Sequence, residues 1–494
     1  GTDGGVGGGV RSTQRNPGLH QVARAMAASV QAITVAGPSL TLGSDVLIFE
    51  HLLFDHTSRL QPPQTAEASN IRDEEITLGR LAVIRQHALG SLVNLKSPPA
   101  DVIVRELTAL RAGRPPFTGC TVIDASCHGS GRDLAGLRAL SEASGVNIVA
   151  SAGISADAAS AFAEEPEELA NKLVEELTKG VEVPGRFVEP IRCGVLALGD
   201  GIYSQNTKAR TILLQGVGEA QRRTGAPLLI ALPANPPPPS GTPASSQMTS
   251  AVGAIVELIE TYGARPDGII VCHAQNLWSS HQTQSVYTDQ LLRLGVTLCV
   301  DGLGCDWMRA GAYDLVASRD GEDVSMDVSD SNQHQLHALE DESEPPSESL
   351  LAETVARLAS RNYAPQIMLS HGISTRLQFE SYGGGGLSHM KRVFLPKLQK
   401  RGLSPEHATL LLSGNACKAL AWWTPGGPAP RVCKVWTCYS CQRSFEEALN
   451  PAEALPTDQM YYEKFEYRYC STHCLGGHRK AGFKAGFRCE PPAS

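Results

Sequence analysis

The strongest constraint on how this chain can fold is a repeated alternation. Between about residues 44 and 420, eight short apolar runs are separated by helix-like stretches. The runs are Val46–Glu50, Thr118–Ser126, Val146–Ala152, Ile191–Leu198, Ala226–Ala231, Gly268–His273, Gly295–Asp301 and Pro365–His371. They are continuously apolar, the pattern of strands in a parallel sheet covered on both faces. Helical patterns fill the gaps, most plainly at Arg132–Ala143, Glu165–Thr178, Ala209–Arg223 and Glu348–Arg361. Eight strand–helix units in one chain point to an α/β fold of the closed (β/α)8 kind, a TIM barrel. A doubly wound sheet would carry a Gly-rich phosphate turn after its first strand, whereas here that strand ends in Glu50-His51.

In such barrels the chemistry gathers where strands end and the following loops begin. Those positions are Glu50 and His51, Asp124, Ala197 and Leu198, Ala231 and Leu232, His273, Asp301, and His371 with Gly372. Two insertions fall at the same mouth. A Pro-rich loop, 233–246, is expected to be extended and stiff. An acidic insertion, 320–350, holds ten Asp and Glu and no Lys or Arg, a composition expected to be loosely held.

The chain has 494 residues and a net charge of −8, which argues against a general nucleic-acid binder or an anionic membrane as partner. No run of about 18 apolar residues suggests a membrane span. The opening to Gly9 is Gly-rich, and Arg11, Arg15 and Arg24 follow with few acids, a composition shared by transit peptides; a surface helix over Leu19–Gln31 is the plainer reading. Of 13 Cys, eight (Cys120, Cys127, Cys193, Cys272, Cys299, Cys305, Cys417, Cys433) are scattered, mostly in apolar runs. They read as buried reduced thiols of a cytoplasmic protein, with an organellar or cytoskeletal assembly as the alternative.

The strand-end residues resemble the phosphotriesterase-related family of the amidohydrolase superfamily. Leu42-Gly43 through Phe49-Glu50-His51-Leu52 is similar to the family's opening G-x-T-L-x-H-E-H-L. Gly131-Arg132-Asp133 with Ser144-Gly145-Val146-Asn147-Ile148 parallels R-D…T-G-V-N-I, and Ile191-Arg192-Cys193-Gly194-Val195 parallels I-K-C-G-V. Ser370-His371-Gly372-Ile373-Ser374-Thr375-Arg376, Tyr382-Gly383-Gly384 and Leu387-Ser388-His389 follow H-D-I-x-T-K…Y-G-G-x-G-x-S-H. The resemblance covers about residues 30 to 422.

It implies two divalent metals at the barrel mouth, activating a water for hydrolysis, held by two His of the first strand, a carbamylated Lys or a Glu of the fourth, one His each of the fifth and sixth, and an Asp of the eighth. Carried onto this chain, those positions are Phe49 and His51, Ala197 or Leu198, Ala231, His273 and Gly372. Only His51 and His273 keep a ligand, and by the family's geometry they serve different metals, so each metal would have one. One imidazole does not hold an ion firmly enough to generate hydroxide. Residues from which a site could be rebuilt are Glu50, Asp124, His128, Asp200, Asp301, Asp306 and His371.

The C-terminal end carries Cys438-x2-Cys441, then 28 residues, then Cys470-x3-Cys474. Two tight thiol pairs suit tetrahedral zinc; His473, His478 and Cys489 leave the identity of the fourth ligand open. The Tyr469-Cys470-Ser471 stretch resembles MYND-type and related treble-clef zinc fingers, most of which bind proteins. The expected organisation is therefore a flexible segment 1–29, a barrel over 30–430 and a zinc module over 431–494. The expected function is a catalytically inactive barrel acting as a structural or protein-interaction scaffold, with structural zinc and without catalytic metals. The alternative is a metal-dependent hydrolase of an amide, N-acyl amino acid, lactone or phosphoester with a rebuilt site.

Overall fold

The computed structural model describes residues 32–39, 42–43, 45–61, 66–112, 120–155, 163–183, 189–198, 207–233, 244–278, 283–304, 346–422, 433–441, 444–448, 462–465 and 467–489. The segment 1–29, most of the Pro-rich loop, the acidic insertion up to residue 345, and Asp200, Cys305 and Asp306 lie outside them.

A short antiparallel hairpin, β1 (Ala32–Thr34) and β2 (Gly37–Ser39), precedes the sheet. The eight parallel strands are β3 (Asp45–Glu50), β4 (Cys120–Asp124), β5 (Asn147–Ile154), β6 (Val195–Leu198), β7 (Leu228–Ala231), β8 (Ile269–Cys272), β9 (Thr297–Val300) and β10 (Ile367–Leu369). Each pairs with its neighbour in chain order, which excludes the doubly wound alternative, whose order reverses. Two backbone bonds join the last strand's end to the first: His51 N to Ile373 O at 2.8 Å and Gly372 N to Phe49 O at 3.1 Å.

The pleat divides the buried side chains into two layers. Ile123, Val149, Val195, Ala197, Leu229, Ala231, Ile270, Cys272, Cys299 and Met368 fill the barrel's interior. Their neighbours Val122, Ile148, Leu196, Leu228, Ile230, Val271 and Leu298 pack outward against the helices. This two-sided burial is why the runs read as continuously apolar. Helices at Leu134–Ser144, Pro166–Thr178, Thr207–Thr224, Ala244–Glu260, Thr283–Leu294 and Glu348–Leu358 form the outer ring. Their ends follow local chemistry: the Asp133 side chain accepts from Gly136 N at 2.9 Å at one start, and Gly145 closes that helix at φ 68. The hairpin β1–β2, unforeseen from the sequence, packs beside the starts of β5 and β6, where Val35 N bonds Ile148 O at 2.9 Å.

After the barrel come two further hairpins, β11 (Cys433–Thr437) with β12 (Ser444–Ala448), and β13 (Tyr462–Lys464) with β14 (Tyr467–Tyr469), then a helix at Thr472–Lys480. No described helix is long and apolar enough to cross a membrane.

Candidate functional sites at the barrel mouth and in the C-terminal module

At the end of β3 the sequence turns Phe49 into the barrel and His51 into the mouth. The Phe49 ring, 6% exposed, stands edge-on to two imidazoles, 5.3 Å from His51 and 5.1 Å from His273. It belongs to the same interior cluster as Ala197 and Ala231. Sequence reasoning left the fourth-strand position between Ala197 and Leu198; the pleat assigns it to Ala197, because Leu198 packs in the outer layer. The phenyl ring and two methyl groups thus stand at three of the positions where the resemblance expects metal ligands.

The two retained imidazoles are engaged. His51 Nδ1 lies 3.0 Å from Ser126 Oγ. Desolvation, reinforced by the nearby His56 and His273, holds the His51 imidazole well below its usual range, so it is neutral at pH 7. His273 sits at φ 58, a strained conformation for a non-glycine residue, and Asp301 explains its retention there. Asp301 Oδ2 accepts from His273 N at 2.7 Å, and Oδ1 takes His273 Nδ1 at 2.7 Å and Gln275 Nε2 at 2.9 Å.

The other acids of the mouth fasten loops. Glu50, fully buried, accepts from Ser370 Oγ at 2.7 Å, His371 N at 2.7 Å and Ile373 N at 2.9 Å, and faces His371 Nδ1 at 3.1 Å. His371 Nε2 accepts from Met390 N at 3.0 Å, so the proton is on Nδ1 and points at Glu50. Asp124 accepts from Leu52 N at 2.6 Å and Ser126 N at 3.0 Å; burial nonetheless pushes its carboxyl up to about 6. His128 is drawn away from the mouth into a cluster with Arg132 and Glu176, whose carboxylate contacts Arg132 Nη1 at 2.6 Å. Burial opposes ionisation of Glu176, but the hydrogen bonds from His128 and Arg132 prevail and bring it to about 2. Gly372, where the resemblance expects the Asp, has φ +64, and a Cβ there would stand 2.7 Å from Asp301 O. The backbone at that position has lost the room for a side chain.

One cluster was not anticipated. Cys272, Cys299 and Asp301 bring ligand atoms within 4.8 Å of one another inside the barrel. Neighbouring strands β8 and β9 place the thiols together, a juxtaposition that sequence separation hides. Burial raises both thiols above their usual range, and the carboxylate oxygens already accept from His273 and Gln275. Protonated thiols and a committed carboxylate do not make a strong cation site. Among the described residues, neither His51 nor His273 belongs to a group of three ligand atoms within reach of one ion.

The C-terminal module is the opposite case. Cys438, Cys441, Cys470 and Cys474 bring their sulfurs within 4.8 Å of one another. Cys441 Sγ lies 3.5 Å and Cys474 Sγ 3.6 Å from Cys470 Sγ. The hairpin turn after β11 presents the first pair, and the end of β14 with the start of the following helix presents the second. Ser471 caps that helix by accepting from Cys474 N at 3.2 Å, which fixes the fourth thiol. Four convergent sulfurs fit tetrahedral zinc, which in a closed four-ligand site has no position for substrate. Cys489 adds a fifth thiol 3.7 Å from Cys474 Sγ. His478, a ligand candidate from the sequence, turns its ring elsewhere: its Nε2 donates to Lys484 O at 2.9 Å and its Nδ1 accepts from Tyr469 OH at 2.8 Å. The ring stacks between Tyr439 and Phe487 and is a buried structural group. His473 is exposed on the helix, outside the four-sulfur group.

Comparison with known proteins agrees with this two-part reading. The sequence profile of the Phosphotriesterase family matches residues 42–240 and 335–420, and that of the Vms1-associating treble clef domain matches residues 433–486. A phosphotriesterase-related protein of Nematostella vectensis is 26% identical over 376 residues, 75% of this chain and 92% of the relative. An N-acetyltaurine hydrolase of Rattus norvegicus is 26% identical over 393 residues, 77% and 95% of the two chains. Among solved structures, a resiniferatoxin-binding protein from Rhodobacter sphaeroides shares the fold with a TM-score of 0.59 at 24% identity, covering 79% of this chain and 94% of that one. With a profile match over more than half its length and a barrel to go with it, this chain belongs to the phosphotriesterase family, and it carries a treble clef after the barrel.

Proposed function

We propose that the barrel is a catalytically inactive member of its family, serving as a rigid scaffold, and that the zinc module supplies the recognition surface by which it joins a larger assembly. The observation that carries this reading is the Phe49 ring standing between His51 and His273. With Ala197, Ala231 and Gly372 at the remaining family positions, each metal would keep one ligand of the family's set, His51 or His273. A divalent ion needs three or more such donors before its water ionises near neutral pH. Among the described residues, Glu50, Asp124, Asp301 and His371 are tied to backbone and side-chain partners, so they support the loops and are not aimed at a substrate as general bases.

The alternative is hydrolysis of an amide, N-acyl amino acid, lactone or phosphoester through a rebuilt site. It draws on relatives named N-acetyltaurine hydrolase, whose similarity extends over the whole barrel. Metal counting on the purified full chain separates the two. The scaffold reading expects one zinc per chain, lost in the Cys438→Ser, Cys441→Ser variant. Additional metal that disappears in the His51→Ala, His273→Ala variant, together with chelator-sensitive turnover of N-acetyltaurine or another acyl amino acid, would establish the enzyme instead.

A further inference from the structure

We propose that the face of the zinc module formed by the β13–β14 turn and the loop after its helix is a binding surface for single-stranded nucleic acid. This rests on the module being the recognition surface and names the chemical class it takes. Three observations converge on it.

The first is charge. The chain as a whole is acidic, but residues 467–489 contain Arg468, Arg479, Lys480, Lys484 and Arg488 and no Asp or Glu. Arg479, Lys480, Lys484 and Arg488 are exposed, and among the described residues none of the four has a carboxylate partner. A concentrated set of cations on a small module attracts phosphates even where the net charge of the chain is negative.

The second is the loop itself. It is a tandem repeat, Ala481-Gly482-Phe483-Lys484 followed by Ala485-Gly486-Phe487-Arg488. Each unit offers a positive-φ glycine, an aromatic ring and a cation, with Gly482 at φ +67 and Gly486 at φ +78. Nothing lies within 4 Å of where a Cβ would stand on either glycine, so the backbone there is open to close approach from outside. His478 holds the loop in place through its bond to Lys484 O and its contacts with Phe483 and Phe487, at 5.2 and 5.4 Å.

The third is an aromatic pair in strained backbone, one ring exposed and the other half-buried. Phe465, at the β13–β14 turn, is 70% exposed and adopts φ 57; Phe483 adopts φ 53. A bulky residue in this region is an outlier that surrounding structure must hold. Their rings meet edge to face at 5.0 Å, and Lys464 Nζ lies 5.3 Å from the Phe465 centroid. Aromatic faces beside unneutralised cations are how sequence-tolerant single-strand binders work: bases stack on the rings while phosphates meet the cations. A protein partner would use aromatic and Arg anchors too, and an acidic peptide would meet the cations between Arg468 and Arg488, which no acid interrupts; the ring pair beside them favours stacked bases over such a peptide.

The test uses the full chain and two fluorescent oligonucleotides of about 12 nucleotides, oligouridylate and oligothymidylate, followed by anisotropy. Binding to either supports the proposal, and the stronger of the two identifies RNA or DNA as the source. If about four phosphates are neutralised, affinity for the single strand falls roughly 50-fold between about 50 and 200 mM salt. Phe465→Ala and Phe483→Ala each weaken binding about tenfold or more, while Lys480→Gln with Lys484→Gln flattens the salt dependence. One zinc per chain in each variant shows that the module has stayed folded. The proposal is overturned by absence of binding at low salt, by binding that both Phe variants leave unchanged, by equal affinity for duplex, or by a preference for an acidic peptide over either oligonucleotide. A barrel found to hold metal would defeat the scaffold reading and leave these measurements standing.

Discussion

The barrel mouth and the zinc module both gather side chains that could hold a metal, and they arrange them in opposite ways. At the mouth, His51 and His273 face a phenyl ring, and Glu50, Asp124 and Asp301 each accept two or more hydrogen bonds from the loops they fasten. In the module four thiols converge on one point. A metal site is recognised by donors that converge on an ion, and counting His, Asp and Cys in a region does not find it. The barrel holds its shape through a large apolar core that needs no ion. The module's described core is small, centred on Cys438, Tyr469 and Cys474, and an ion held among its thiols would tie it together.

That contrast sets the largest expected effect. Replacing Cys438 and Cys441 by Ser removes half of a thiolate set whose zinc is worth about 10–16 kcal/mol of apparent binding energy. Zinc per chain should fall from one to none, and hydrogen exchange should show loss of protection over residues 467–489. The barrel should unfold at the same denaturant concentration as before. A barrel that melts with the module would break the comparison. Next in size is Phe49→Ala, which empties the space between the imidazoles and should destabilise the barrel by roughly 3–5 kcal/mol in urea unfolding without changing zinc content. Metal gained by this variant would show that the ring alone had been excluding it. Smaller still is Gly372→Ala. Backbone at φ +64 and a close Asp301 carbonyl should cost about 1–3 kcal/mol, read from the same titration. A neutral result would mean that the mouth still has room for the Asp of its relatives.

The sequence shows these two regions unequally, for physical reasons. Burial on both faces makes barrel strands continuous apolar runs, so all eight were visible, though the runs overshoot: Ile191–Leu198 contains the strand Val195–Leu198. The positions where the resemblance expects ligands could be placed at Phe49, Ala231 and Gly372 because they sit at fixed distances from recognisable motifs, whereas choosing Ala197 over Leu198 required the pleat. The hairpin β1–β2 escaped notice because its strands are three residues each and one contains Pro38. Cys272 and Cys299 looked unrelated because neighbouring strands lie a full strand–helix–strand repeat apart. His478 looked like a ligand by spacing, and only its bonds to Tyr469 and Lys484 reveal a packing role. Net charge carries no information about where charges sit: the acidic total coexists with a basic patch at Lys480, Lys484 and Arg488 that is legible in the sequence itself.

The smallest expected effect concerns His51 and sharpens the claim that the mouth is inert. Its imidazole is held well below the ordinary value of 6.5, first by desolvation and then by His56 and His273. On acidification the unfolded chain therefore binds this proton before the folded one does. Stability contributed by the neutral ring is complete above about pH 6.5 and declines as pH falls toward the folded value, by at most about 1.4 kcal/mol per pH unit for one proton. His51→Ala should remove that component, so the difference in unfolding free energy between wild type and variant should narrow from pH 7 to pH 5 while zinc per chain stays at one. A steeper dependence would implicate His56 and His273 as coupled partners. Loss of a metal from this variant would mean that the mouth and the module resemble each other after all, because an ion at the mouth depresses an imidazole's proton affinity in the same direction as burial does, and metal analysis at neutral pH is what tells the two causes apart.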